Sequence, residues 1–170
     1  MIWDYIQQGG AVMYLLLALN IIGVSIMLSK AYIFITKGMD VAEVSQNIYE
    51  TVKGEEKDYV MELAKKEIEQ HIATIETGMN TVKIIATIAP LLGLLGTVIG
   101  VFMAFKIMAE SGMGSPEKFA EGISVALITT VGGMIVAILH YVGHNYLLAM
   151  VDKIEAKIEK AVITKLSEAA

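Results

Sequence analysis

Apolar residues run along this chain in three long stretches, separated by segments in which they recur only at helical spacing. The stretches cover Gly10 to Ile35, Ile84 to Met108 and Gly122 to Met150. A helix needs about 20 residues, each rising about 1.5 Å, to cross about 30 Å of hydrocarbon, so each stretch is long enough. The second has no charge between Lys83 and Lys106, whose long stems let the two ammonium groups reach opposite interfaces. The third is uncharged until Asp152, although His140, His144 and Asn145 make its far end polar. Three transmembrane helices are therefore expected, at 10–35, 84–108 and 122–150. The leader, 1–9, holds Asp4 and no lysine, unlike a signal peptide, so the first stretch reads as a retained span.

Between the spans the pattern changes. Over 36–83, Val60, Leu63, Ala64, Ile68, His71, Ile72, Ile75, Met79 and Val82 keep a helical period, with Glu62 four residues ahead of Lys66 on the other face. This predicts a helix running directly into the second span. In the tail, 151–170, Val151, Ile154, Ile158, Ala161 and Val162 form a similar stripe, which extends the third span. Both stripes need a surface to bury against. Val41, Val44, Ile48 and Val52 offer one within the chain, and neighbouring subunits offer another. The turn at 109–121 is marked by Gly112, Gly114 and Pro116.

Lysine placement sets the expected direction. Lys37, Lys53, Lys57, Lys65, Lys66 and Lys83 lie between the first two spans, and Lys153, Lys157, Lys160 and Lys165 follow the third. The leader has none and the turn only Lys118. The positive-inside rule then gives an N-out, C-in topology, with 36–83 and 151–170 in the cytoplasm.

Composition narrows the class. A hydrophobic fraction of 55% with a mean hydropathy of +0.62, 15 glycines, 2 prolines and 7% aromatics fit an all-α membrane protein packed through small residues better than a barrel. Without cysteine there is no disulfide or thiolate chemistry. A net charge of −5, with lysine as the sole basic residue type, leaves no concentrated cationic face for nucleic acid.

The spans hold few reactive groups. Gly93, Gly96 and Gly100 lie near one face of the second span, after Pro90, which removes a backbone bond and can kink the helix or start its tight part. Packing is the simplest use of these residues, and the smooth face also suits relative motion. Thr97, Thr129 and Thr130 can each bond back to a carbonyl one turn earlier, or line a hydrated path or meet an ionisable group from another chain. No carboxylate or lysine lies between Lys83 and Lys106 or between Glu121 and Asp152. A hydroxyl does not reversibly carry a proton near neutral pH, so if the protein works on protons, a partner must supply the acid. His140 and His144 share a face but lack a third ligand, which favours polar interface packing over a metal site. No catalytic site, metal or cofactor is expected. A non-conducting scaffold and a membrane metalloenzyme using the two histidines are the rival classes.

Two strings, Ala89 to Phe105 (APLLGLLGTVIGVFMAF) and Gly122 to Ala137 (GISVALITTVGGMIVA), resemble the core helices of the MotA/TolQ/ExbB proton-channel family. The opening Gly9 to Tyr14 and the first span down to Ser29-Lys30 resemble the family as well, so the likeness covers most of the chain. It implies a bacterial inner-membrane, multi-pass subunit that assembles into a ring, a pentamer, around a single-span partner of the ExbD/TolR type. A membrane aspartate on that partner carries the proton, and the complex couples proton flow to mechanical work. Thr97 and Thr130 match the family's partner-facing threonines. Thr129 is the weaker candidate, about 100° away on the helix. Sodium is the alternative ion. Three departures stand out. Val125 occupies the position where ExbB and TolQ proteins carry a glutamate, with Glu121 one turn earlier reading as a solvated cap. Ser29-Lys30 replaces the frequent Glu-Arg. The 36–82 segment is short beside that of MotA proteins, which favours the ExbB/TolQ branch.

Overall fold

A computed structural model describes residues 2–37, 40–53, 57–111 and 116–168. Within them the chain is helical apart from short turns. The order is α1 (Ile2–Gln8), α2 (Gly10–Tyr32) with a π-helical continuation (Ile33–Lys37), α3 (Val41–Val52), α4 (Lys57–Glu76), α5 (Met79–Ser111) and α6 (Pro116–Glu168). Three helices, Gly10–Thr36, Met79–Glu110 and Phe119–Glu168, are long and apolar enough to cross a membrane. Gly112 and Gly114 of the expected external turn lie outside the described residues.

Two units emerge from the packing. The first comprises residues 1–26 and 81–144, the second 27–80 and 145–170. In the first, Leu16, Ile85, Ala89, Val136 and Ala137 are buried together, so α2, α5 and α6 each contribute one narrow face. Their other faces are covered with large apolar groups, including Leu91, Phe102, Ile135 and Ile138 at 61–69% exposure. A surface of this kind belongs in lipid or against other membrane chains, and the protein is a multi-pass membrane protein.

In the second unit the amphipathic stripes meet. Ile48 and Val52 of α3 pack with Ala64, Ile68 and Ile72 of α4 and with Leu147, Val151, Ile158 and Val162 of α6. The 41–52 stripe thus covers the other two within the chain. Asp40 caps α3, its carboxylate accepting from the Ala42 and Glu43 amides at 3.1 and 3.2 Å.

Two expectations need correction. The stripe over 60–82 is not one helix continuing into the second span: α4 stops at Glu76 and α5 starts at Met79. Gly78 sits between them at φ +86°, a left-handed conformation that ends helices and that glycine adopts without penalty. Hydrophobic period could not register the break because the apolar face resumes in phase beyond it. Lys30 strengthens the stop by donating from Nζ to the Ile75 carbonyl at 2.8 Å, a cation placed on the negative end of α4. The second correction concerns Glu121. Because α6 starts at Pro116, this exposed residue lies beyond the first turn and caps nothing.

Replacing Lys30 with Met removes a charged donor from those carbonyls, and we expect a loss of about 1 kcal/mol, with Lys30→Arg retaining most of it. Thermal unfolding of the detergent-solubilised protein measures both.

Candidate functional site

The site is built on the approach of α5 to α6. Gly93, Gly96 and Gly100 are all buried, and each faces α6 rather than open space. A methyl group at Gly93 would come within 2.8 Å of the Thr129 carbonyl, and one at Gly100 within 2.9 Å of the Gly122 carbonyl. Gly133 answers from the other side: a methyl there would lie 2.5 Å from the Ala89 carbonyl. The smooth face of the second span is therefore already occupied by the chain's own third span and is not a free sliding surface. Helix α5 continues through Pro90, which is half-buried.

This close approach brings three hydroxyls and two carbonyls together. Thr97 Oγ1 lies 3.3 Å from the Gly93 carbonyl one turn back and 3.1 Å from the Ala126 carbonyl on α6. Thr130 Oγ1 lies 3.4 Å from Ala126 O on its own helix and 3.3 Å from Gly93 O on α5. Thr129 Oγ1 donates to Ala126 O at 2.8 Å, with Gly93 O 3.4 Å away. The Thr97 and Thr130 hydroxyls also bond each other. Back-bonding within a helix accounts for only part of this pattern, because every one of the three hydroxyls also reaches a carbonyl of the facing helix.

Burial separates the threonines. Thr129 is 1% exposed and is packed against Gly96 and Gly9, whereas Thr97 and Thr130 are half-buried at the margin of the α5–α6 contact. A hydroxyl is both donor and acceptor, so the Thr97–Thr130 pair can pass a hydrogen bond to a group arriving from outside, while Thr129 serves the packing. Val125, at the position of the family glutamate, is half-buried and apolar.

His140 differs from its expected place at a polar interface. It is 0% exposed, enclosed by the chain itself, with Nδ1 bonded to the Val136 carbonyl at 2.8 Å. Its ring fills the space left by Gly23 on α2, where any side chain would overlap the imidazole. Nε2 is aimed at that glycine and has no partner among the described residues. No group of three or more His, Cys, Asp or Glu residues able to hold a metal is found among the described residues. Sequence reasoning passed over this contact, and also over Gly133. The signals were present, as a lone glycine in the apolar run of the first span and as the Gly132-Gly133 doublet.

Adding a methyl at Gly96 places it against Thr129, so Gly96→Ala should destabilise the protein by about 1–3 kcal/mol. Combining it with Thr129→Gly, which vacates the opposing volume, should recover part of that loss. The Gly23→Ala change should behave in the same way, with His140→Ala as the compensating change; unfolding midpoints in detergent read both cycles.

Residues 29–160 match the model of the MotA/TolQ/ExbB proton channel family. A putative biopolymer transport protein ExbB homolog of Methanothermobacter thermautotrophicus is 39% identical over 88 residues, 52% of this chain and 31% of that protein. The biopolymer transport protein exbB1 of Vibrio cholerae is 38% identical over 84 residues, covering 49% and 37%. The biopolymer transport protein ExbB of Aquifex aeolicus is 41% identical over 71 residues, covering 40% and 48%. The matches thus span about a third to a half of these relatives' length. With a family match extending from the end of α2 well into the last half of α6, the chain belongs to the MotA/TolQ/ExbB proton channel family.

Proposed function

We propose that this protein is the ring subunit of a proton-driven motor complex in a bacterial inner membrane, oriented N-out and C-in. Five copies surround a single-span partner of the ExbD/TolR type. Protons pass between the Thr97–Thr130 pair and an aspartate in the partner's span, and each change of protonation permits a step of partner relative to ring. The complex delivers mechanical work to biopolymer transport or a related envelope process.

One observation carries this reading: a hydroxyl pair at the margin of the α5–α6 contact, within stretches that hold no carboxylate or lysine between Lys83 and Lys106 or between Glu121 and Asp152. Hydroxyls relay and orient a proton but do not store one, so the storing group must come from another chain. About 100 mV of membrane potential supplies about 2.3 kcal/mol per charge, enough to bias steps between packing states of similar energy. Sodium is a second reading, favoured by the five uncharged oxygens of the cluster, whose separations include 2.8, 3.1 and 3.3 Å. Uncharged hydroxyl and carbonyl oxygens suit a hard cation.

With the partner present in sealed vesicles, changing Thr97 and Thr130 together to Val should lower proton flux at least tenfold, about 1.4 kcal/mol or more in barrier terms. Serine at both positions keeps the hydroxyls and should keep the flux. Unchanged flux in the double valine variant, with assembly intact, would sink the assignment. A flux that follows sodium instead of the proton gradient would select the second reading, and no ion movement at all would leave a scaffold.

A further inference from the structure

Asn20 stands in the middle of α2, which runs from Gly10 to Tyr32, and it is half-buried. Its amide bonds nothing among the described residues. Several hydroxyls in the spans find a backbone carbonyl, as Ser25 does with Ile21 at 2.7 Å and Thr87 with Lys83 at 2.9 Å. An asparagine amide carries two N–H donors and a carbonyl acceptor, and the centre of a bilayer has no water to satisfy them. Such a group finds its partner on another helix.

The helix contacts fix the level at which that partner must lie. Gly23 of α2 faces Ile85 of α5 and His140 of α6. One helical stretch earlier, Leu16 is buried with Ala89 and Val136. Because α2 and α5 run antiparallel, Asn20 falls level with 86–87 of α5. On the parallel α6 it falls level with 138–139, where Ile138 and Leu139 are apolar. Thr87 is exposed and lies between the buried Ile85 and Ala89, so it points away from its own bundle. Its hydroxyl, with its proton given to Lys83 O, keeps lone pairs free to accept.

We propose that Asn20 joins copies of this chain inside the membrane, its amide donating to the Thr87 hydroxyl of the next copy. Rotation about an axis normal to the membrane conserves depth, so a ring of identical subunits brings together groups of equal level. Head-to-tail contacts in such a ring pair one patch with a different patch, which selects Asn20 with Thr87 over Asn20 with itself. This inference rests on the ring reading above and adds the contact that sets its register.

The chain has no cysteine, so introduced thiols report without interference. Full-length protein carrying both Asn20→Cys and Thr87→Cys, in native-lipid nanodiscs, is treated with a short bifunctional thiol reagent. The mass of the unmodified assembly is measured in parallel. The expected result is a ladder of covalent multimers from the double variant and monomer from either single variant. Dimers from Asn20→Cys alone would overturn the pairing in favour of a symmetric contact. A double variant that stays monomeric while the assembly mass is that of an oligomer would overturn the contact but spare the ring. Capture of Asn20→Cys solely by a co-expressed single-span partner bearing a cysteine would transfer the contact to that partner and overturn it. A monomeric mass for the unmodified chain would overturn both. In addition, Asn20→Leu should raise the subunit dissociation constant about three- to tenfold, and Asn20→Gln should restore part of it.

Discussion

The glycine-lined contact between α5 and α6 is the constraint on which the rest depends. Gly93, Gly96 and Gly100 on one side, with Gly133 on the other, let two backbones approach so closely that side-chain hydroxyls of each helix reach carbonyls of the other. In lipid there is no hydrophobic drive to bring helices together, so van der Waals contact and these bonds must do it. The same approach that holds the helices also gathers five oxygens at one place. Packing and the candidate site are one structure, and a substitution that widens the contact loosens the oxygen cluster with it.

A division of labour among the threonines follows. Thr129 is enclosed by Gly96 and Gly9 and is committed to the interior of the subunit. Thr97 and Thr130 bond each other and lie nearer the surface. Only the latter pair can add a bond to an incoming group without unpacking the subunit. His140 shows the converse case of a polar ring accommodated wholly by the chain, through the gap at Gly23. In the second unit, three amphipathic helical segments close over Val52, Ile158 and their neighbours.

Much of this was legible in the residues. The three spans announced themselves by length, since about 20 uncharged residues have few other uses, and the stripe at Val41, Val44, Ile48 and Val52 pointed to the face that covers the other stripes. The break at Gly78 was hidden because a left-handed residue interrupts hydrogen bonding without altering hydrophobic phase. The direction of the glycine face was hidden for a related reason. A small-residue stripe says that something comes close, and only three-dimensional packing says whether that is the same chain or another. His140 looked like an interfacial group from its position late in the span, because nothing local reveals that a glycine on a distant helix makes room for it.

In the proposed mechanism this chain forms half of an ion path, and the acid comes from a second protein. Proton flux into sealed vesicles containing the purified chain, with and without a single-span partner carrying a membrane aspartate, tests it most directly. Vesicles with the chain alone should stay tight, and gradient-driven uptake should appear when the partner is added. Equal uptake without the partner would contradict it.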